Sequence, residues 1–570
     1  MSTTVILQQR RIEISQRERP FIVKWRLKFQ RFVEENKRKL KLIFLCLALI
    51  GYFIYFGLAI KHSAKKAKAL IVITPIVVAY LIYAQIRDRY GDLIFKHIIQ
   101  PVFAIFKRNL VKWIFLSGIL VALVLYLGLG VLKTRRQLQS ILGLTFYTII
   151  PYFTSKHRRH IKWRPVIWGY ATQFLMAVIV LRWKPGYNAA RFLSDELNTF
   201  LSYSFEGAAQ VFGDPVFILH TGFFLLALIT FIGAVVDILF YFGVTKFVIT
   251  KMAFIMSISA NITAVEAFGL VANIFLSVLE TSLMIKPYIK KLTGSEFHTF
   301  LVGAHSTIAG WAFGLFVLFG VNPQHLLTGA LISAPAAVAI AKLSWPETEI
   351  SNYKNSHEVE VEESNDRSVV EAMANGAKQA AKGVTAIMLQ IIAFLSLLDF
   401  LDTTLGWIGR RIGIKLSVQI IFSYLFVPFA WLIGIEWSEC RAVSSLLGLK
   451  MLGNEVLAFL ELGGIQQGEG PKLSEHAATL TTYALCGFSS FGTLAIFIGV
   501  WSSIDPPRVA QVGSQFLRLF LNANLACFST ACIAGILYDE DIASEKSQPS
   551  IIRAFFNLLP SYKDILDLLQ

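Results

Sequence analysis

The chain has 570 residues, of which 55% are hydrophobic and only 16% charged. Soluble domains carry about 25% charged residues, so a water-soluble enzyme of this size is excluded. A net charge of +17 would point to nucleic acid in a soluble protein, but membrane proteins also gather Lys and Arg in cytoplasmic loops. The apolar residues fall in blocks of about twenty, the length of a membrane span. Five cysteines without a CxxC pair make neither a disulfide framework nor a zinc site. Cys440, Cys486, Cys527 and Cys532 lie in or beside apolar segments and read as small packing residues.

Residues 1–41 are polar and basic, from Arg10 to Lys41, and abut the first apolar block. That placement predicts a cytoplasmic N-terminal segment, without a cleaved signal peptide. Trp25 to Arg38 is expected to lie on the membrane surface as a helix. Accessory spans are predicted within 42–189, at 42–60, 69–86, 113–132, 138–154 and 165–182. Pro151 weakens the fourth, and basic loops separate them. Residues 90–110 read as a further surface helix. From Arg191 to Phe212 the pattern is amphipathic, through Phe192, Leu193, Leu197, Phe200, Leu201 and Phe205, which predicts a helix along the membrane plane. An apolar run, 216–243, contains Asp237.

Thereafter the character changes. Segments 246–292, 297–320, 325–345, 380–405, 415–435, 440–465, 471–500 and 509–537 are apolar but rich in Gly, Ser, Thr and Asn. The acidic loop 346–372 reads as a solvated connection. Residues 190–540 form the core, and 541–570 a C-terminal tail.

Two carboxylates stand inside this core. A charge in hydrocarbon costs ~3 kcal/mol or more, so it faces a cavity or a partner. Asn273, Ser277 and Glu280 are spaced so that one helix would place them on one face. Glu455 follows Gly453-Asn454. A hydroxyl-and-glycine break comes after each carboxylate: Ser306-Thr307-Ile308-Ala309-Gly310, and Gly487-Phe488-Ser489-Ser490-Phe491-Gly492-Thr493. A hairpin bearing a carboxylate, followed by an interrupted helix, is thus stated twice. Secondary transporters are built from two such inverted repeats meeting near mid-membrane. Carbonyls and hydroxyls freed at the breaks suit a small hard cation. The bland alternative pairs both carboxylates with Lys or buried hydroxyls as structural groups.

Enzymatic motifs are absent. Val211-Phe212-Gly213-Asp214 is only half of an intramembrane aspartyl protease motif, and no GxSG, HExxH, Walker A or GxGxxG stands between strand and helix. His298, His305 and His325 lie near segment ends and read as boundary residues.

The residues resemble the concentrative nucleoside transporter family over about 190–535. The resemblance rests on Tyr203-Ser-Phe-Glu-Gly-Ala with Val211-Phe212-Gly213, and on Asn273-Ile-Phe…Glu280 with Ile285-Lys-Pro-Tyr288. It continues through Thr307-Ile-Ala-Gly310, Ser333-Ala-Pro-Ala336, Lys342-Leu343 with Pro346-Glu-Thr-Glu349, Asn375-Gly-Ala377, Gly448-Leu-Lys450…Asn454-Glu455 and Tyr483-Ala-Leu-Cys-Gly-Phe488. The resemblance implies an all-α polytopic membrane protein with two re-entrant hairpins, about 246–292 and 440–465, and broken helices. It also implies a scaffold, an elevator-type transport domain and a homotrimer in the plasma membrane, surrounded by lipid. Sodium would be held by Asn273, the Leu276 carbonyl, Thr307 and the Ile308 carbonyl. The ribose would meet Glu455, Ser490 and Thr493. Glu280 would meet the base, with Phe488 and Ala312 lining the pocket.

The departures lie on the solute side, at the base and at the ribose. The family's Gly-Gln-Thr-Glu-Ala-Pro reads here Ser277-Val-Leu-Glu-Thr-Ser282, so an amide and a hydroxyl that meet the base become Val278 and Leu279. The ribose-binding Asn becomes Ser490. The expectation is a sodium-coupled importer of nucleosides or a nucleoside-like solute, with ion coupling retained and base selectivity altered. No other cofactor, no enzymatic activity and no nucleic-acid partner are expected. The alternatives are a proton-coupled carrier in which Glu280 or Glu455 takes up the proton, and a non-transporting solute receptor.

Overall fold

The computed structural model describes residues 36–63, 70, 74–75, 78, 134–213, 221–276, 278–308, 310–353, 366–468 and 470–539. The spans expected at 69–86 and 113–132, the surface helices at 25–38 and 90–110, and the tail beyond 539 lie largely or wholly outside these residues. Helices alone build the described residues, without a strand. The chain divides into two compact units, Met1–Leu123 and Val124–Gln570. In the first, α1 (Lys37–His62) matches the span expected at 42–60 and exposes Leu47, Phe53, Ile54 and Leu58.

The second unit begins with α2 (Arg135–Phe153) and α3 (Trp163–Leu181), followed by the long α4 (Lys184–Phe212). On α4 the buried stripe is Tyr187, Ala190, Ser194, Asn198, Leu201, Phe205 and Ala208, at helical spacing. Phe192 and Phe200, assigned by sequence to the apolar stripe, are exposed. Helices α2 and α3, which the sequence places among the accessory spans, pack on the core. Helix α2 packs on the last helix, where the Tyr147 hydroxyl donates to the Phe429 carbonyl at 2.7 Å and Phe528 lies against its ring. Gln173 of α3 donates to Thr530 at 2.9 Å. Small Gly143 and Gly169 permit this approach, for a Cβ on either would strike backbone oxygen of Leu432 or Pro335.

One helical order then runs through the core twice. The first passage is α5 (Thr221–Tyr241), α6 (Val244–Ala260), the hairpin α7 (Ala264–Phe275) and α8 (Val278–Ile289), the broken α9 (Gly294–Ser306) and α10 (Gly310–Leu318), and α11 (Pro323–Ser344). The second is α12 (Val369–Arg411), short α13 (Val418–Leu425) and α14 (Val427–Ile433), the hairpin α15 (Trp437–Leu452) and α16 (Glu455–Gln467), the broken α17 (Glu475–Leu485) and α18 (Phe491–Ile504), α19 (Pro506–Ser514) and α20 (Phe516–Leu537). Among the described residues α3, α11 and α20 are long and apolar enough to cross a membrane, with α5–α6 as a further pair bent by 79°. The 22 residues of α11 extend about 33 Å, against a hydrocarbon core of about 30 Å. The 12-residue arms α7 and α8 reach only about 18 Å each, so a hairpin of that size enters the membrane and turns back.

The repeats interlock. Helix α5 packs on α12, α8 on α18 and α10 on α16. At the α5–α12 crossing, a Cβ on Gly233 would lie 2.6 Å from the Ala380 Cβ, and one on Gly376 would lie 2.3 Å from the Gly233 carbonyl. Phe316 of α10 stacks on Phe459 of α16 with ring centroids 4.0 Å apart.

Candidate solute and ion site

Four interruptions of regular helix meet in the core. Helix α7 stops because Leu276 is extended, with φ −106° and ψ 160°. Helix α9 stops at Thr307, with φ −116° and ψ 163°. Ser and Thr hydroxyls compete for backbone partners and favour such breaks. Asn454 ends the second hairpin's turn by capping α16, its Oδ1 accepting from the Leu457 amide at 2.9 Å. Ser490 caps α18 in the same way, accepting from the Thr493 amide at 3.0 Å.

Gly487 lets the two broken helices touch. Its φ is +152°, and a Cβ there would lie 2.6 Å from the Cys527 sulfur and 3.0 Å from the His305 carbonyl oxygen. Cys527 of α20 stands between the breaks, its thiol donating to the Cys486 carbonyl at 3.1 Å. Asn524 holds the second break, with its amide donating to the Ser489 carbonyl at 2.8 Å and its Oδ1 accepting from the Ser489 hydroxyl at 3.0 Å.

The helical face expected for Asn273, Ser277 and Glu280 does not exist. Extended Leu276 separates Asn273, on α7, from Glu280, in the first turn of α8. Ser277 and the side chains of Val278, Leu279 and Glu280 lie outside the described residues. Asn273 is 2% exposed, yet neither its Oδ1 nor its Nδ2 has a partner among the described residues. Beside it the Thr307 hydroxyl lies 3.3 Å from the Asn273 carbonyl and 3.0 Å from the Gly303 carbonyl. Leu276 and Ile308 are buried at the two breaks, where the backbone leaves the helical ladder. An amide oxygen, a hydroxyl and backbone carbonyls fit a hard cation.

The second break carries its own chain of hydrogen bonds. The Ser490 hydroxyl donates to Thr493 Oγ1 at 2.8 Å, and Thr493 Oγ1 donates to Glu455 Oε1 at 2.9 Å. Glu455 is 3% exposed, and its Oε2 has no partner. As the first residue of α16 its charge faces the positive end of that helix. Phe488 and Ala312 are buried, on the second break and on α10. On α8, Thr281 adds a buried hydroxyl without a partner.

Sequence reasoning missed the supports of this site. Lys450 is fully buried and donates to the Ala484 carbonyl at 2.9 Å, capping α17 at its broken end. The signal was available, because a lysine in an apolar segment needs an acceptor. His298 and His305 are fully buried within α9, His298 in its body and His305 in its last turn. Asn522 bonds to His298 Nε2 at 3.1 Å, and His305 Nδ1 donates to the Leu301 carbonyl at 2.8 Å. Each ring thus has one buried partner, while His298 Nδ1 and His305 Nε2 have none among the described residues.

An all-helical core with two short hairpins, each followed by a broken helix whose interruption converges on the other, is that of a secondary membrane transporter. Models of the Na+ dependent nucleoside transporter C-terminus and N-terminus match residues 325–535 and 142–215. Solute carrier family 28 member 3 of Mus musculus is 34% identical over 526 residues, covering 90% of this chain and 75% of the relative. Sodium/nucleoside cotransporter 2 of Rattus norvegicus is 32% identical over 523 residues, covering 90% and 79%. The solved structure of CNTnw in an inward-facing substrate-bound state superposes with a TM-score of 0.65 at 27% identity, over 70% of this chain and 97% of that one. An outward-facing CNTnw structure gives 0.66 over 70% and 98%. The chain belongs to the sodium-dependent nucleoside transporter family. It is a multi-pass membrane transporter and not an enzyme.

Proposed function

We propose that this protein imports nucleosides, or a solute of nucleoside shape, by symport with sodium. The observation that carries the reading is the buried Asn273 amide, without a partner among the described residues, on a residue whose own carbonyl meets the Thr307 hydroxyl where two helices break. Asn273 Oδ1, Thr307 Oγ1 and the carbonyls of Leu276 and Ile308 hold the ion. Glu455, with Ser490 and Thr493, accepts the hydroxyls of the sugar. Glu280 faces the base, beside Val278, Leu279, Phe488 and Ala312. Sodium draws the first hairpin tip against the first break, which completes the pocket for solute. The hairpins, broken helices, α11 and α20 move as one transport body against α5 and α12, in a homotrimer at the plasma membrane with a cytoplasmic N-terminus.

Proton coupling finds less support, since the ion set proposed here contains no titratable side chain. The test is uptake of labelled uridine and adenosine by cells expressing the chain, in sodium and in choline medium. Uptake that needs sodium supports the reading. Uptake indifferent to sodium overturns the coupling, and a sodium current with some other solute and no nucleoside overturns the substrate class.

A further inference from the structure

Lys342 lies at the far end of the two helices whose break ends face each other at the proposed ion site. It is 6% exposed, on the last turn of α11, and plays no part in the transport reading above. Its ammonium donates to Glu266 Oε1 of α7 and, at 3.0 Å, to Ser295 Oγ of α9, with Glu347 Oε2 at 3.8 Å. Glu266 and Glu296 are the third residues of α7 and α9, and each closes a capping box, with Thr263 and Thr293. The loop after α11 adds to the clamp. The Trp345 carbonyl accepts from Ser295 at 2.7 Å, Glu347 accepts from Thr293 at 2.9 Å, and Ser351 donates to Glu296 at 2.5 Å. Burial raises the Glu347 carboxyl above its ordinary range, and the Lys342 ammonium offsets part of that.

Starting from this clamp, α7 and α9 run parallel and touch rung by rung. A Cβ on Gly269 would lie 2.6 Å from the Phe300 ring, and one on Gly303 would lie 2.2 Å from Leu270 Cδ2. The last rung is Thr307 against the Asn273 carbonyl. Glu266 and Asn273 are seven residues apart, two turns on one face. Helices slide along their axes far more easily than they stretch, so whatever fixes the register of α7 on α9 at one end fixes it at the other.

We propose that Lys342 is a positioning residue for the ion: by joining Glu266 to Ser295 it locks the axial register of α7 on α9, and so sets Asn273 against Thr307. The proposal rests on the reading that those two residues hold sodium. Two variants of the full chain separate register from simple stability. Ser295→Ala cuts the link to α9 and leaves the ion pair intact. Glu266→Gln with Lys342→Met removes both charges of the closest pair together, which leaves Glu347 with the Thr293 hydroxyl and keeps the net charge near the ion unchanged.

The readouts are the sodium concentration for half-maximal uridine uptake, the uridine KM at saturating sodium, and surface abundance. Sodium half-saturation is expected to rise about ten-fold in the double variant and about three-fold in Ser295→Ala, within the ~100-fold that a misplacement of about 1 Å costs at a reacting centre. The uridine KM at saturating sodium and the abundance of Ser295→Ala should stay within about two-fold of wild type. A purely structural role would lower abundance and leave sodium half-saturation at its wild-type value, and that result overturns the proposal. Asn273→Ala serves as the control. If it too leaves sodium half-saturation unchanged, the ion-site reading fails and takes the register with it. A shift in Asn273→Ala without one in the other two variants overturns the register alone.

Discussion

The first and second breaks share an order of helices but differ in how their polar atoms are used. At the second, Ser490, Thr493 and Glu455 bond to one another, and Ser489 bonds to Asn524. At the first, among the described residues, the Asn273 amide has no partner and Thr307 reaches only backbone oxygen. A buried polar group left unpaired costs about 1–3 kcal/mol, so the first break is held open at the expense of stability. The second is organised in advance and offers one free carboxylate oxygen, Glu455 Oε2. In the proposed reading this division is functional, with an open break awaiting an ion and a pre-formed one awaiting hydroxyl groups.

The largest expected effect therefore belongs to the second break. Glu455→Gln keeps an acceptor for Thr493 but removes the charge and turns the free oxygen into a donor or a neutral carbonyl. Hydrogen bonds to charged groups are worth about 1.5–3 kcal/mol, which predicts a fall in uridine uptake of roughly ten- to 150-fold at unchanged surface abundance. Uptake above a third of wild type would mean that this carboxylate does not hold the solute.

Asn273→Ala tests the other half, and its sign is unusual. The substitution removes no protein–protein hydrogen bond. Thermal stability of the purified protein without sodium should hold or rise, while sodium half-saturation rises about ten-fold for the loss of about 1.4 kcal/mol of ion binding. A loss of stability with unchanged sodium dependence would make Asn273 a structural group and erase the contrast between the two breaks.

How much of this was legible in the sequence depended on the range of the interactions. Apolar blocks of span length appear as α3, α11 and α20, and local Gly, Ser and Thr clusters coincide with the breaks at 307–308 and 486–490. Chain direction was not legible: a helical face drawn through Asn273 and Glu280 ignored the turn at extended Leu276. Partners far apart in the chain were equally hidden. Lys342 and Glu266 are 76 residues apart, and neither segment shows that the other exists. The packing of α2 and α3 on the core was hidden in the same way, because Gly143 and Gly169 read as ordinary span residues until α14 and α11 pack against them.

The smallest effect is expected on the base side of the proposed site. The first turn of α8 carries two apolar residues, Val278 and Leu279, beside Glu280. Val278→Gln with Leu279→Thr would place two hydrogen-bonding groups on the base side. Each bond to a base is worth about 0.5–1.5 kcal/mol, so the ratio of KM values for adenosine and uridine should change by roughly two- to ten-fold. Sodium half-saturation should not move, because both positions lie past the hairpin tip from Asn273 and contribute no oxygen to the ion. A change in base ratio alone would show that one short hairpin serves ion and base through separate arms, α7 for the first and α8 for the second. A parallel change in sodium half-saturation would show that the arms act as one piece, and the contrast between the repeats would then lie between whole hairpins and not between the groups they present.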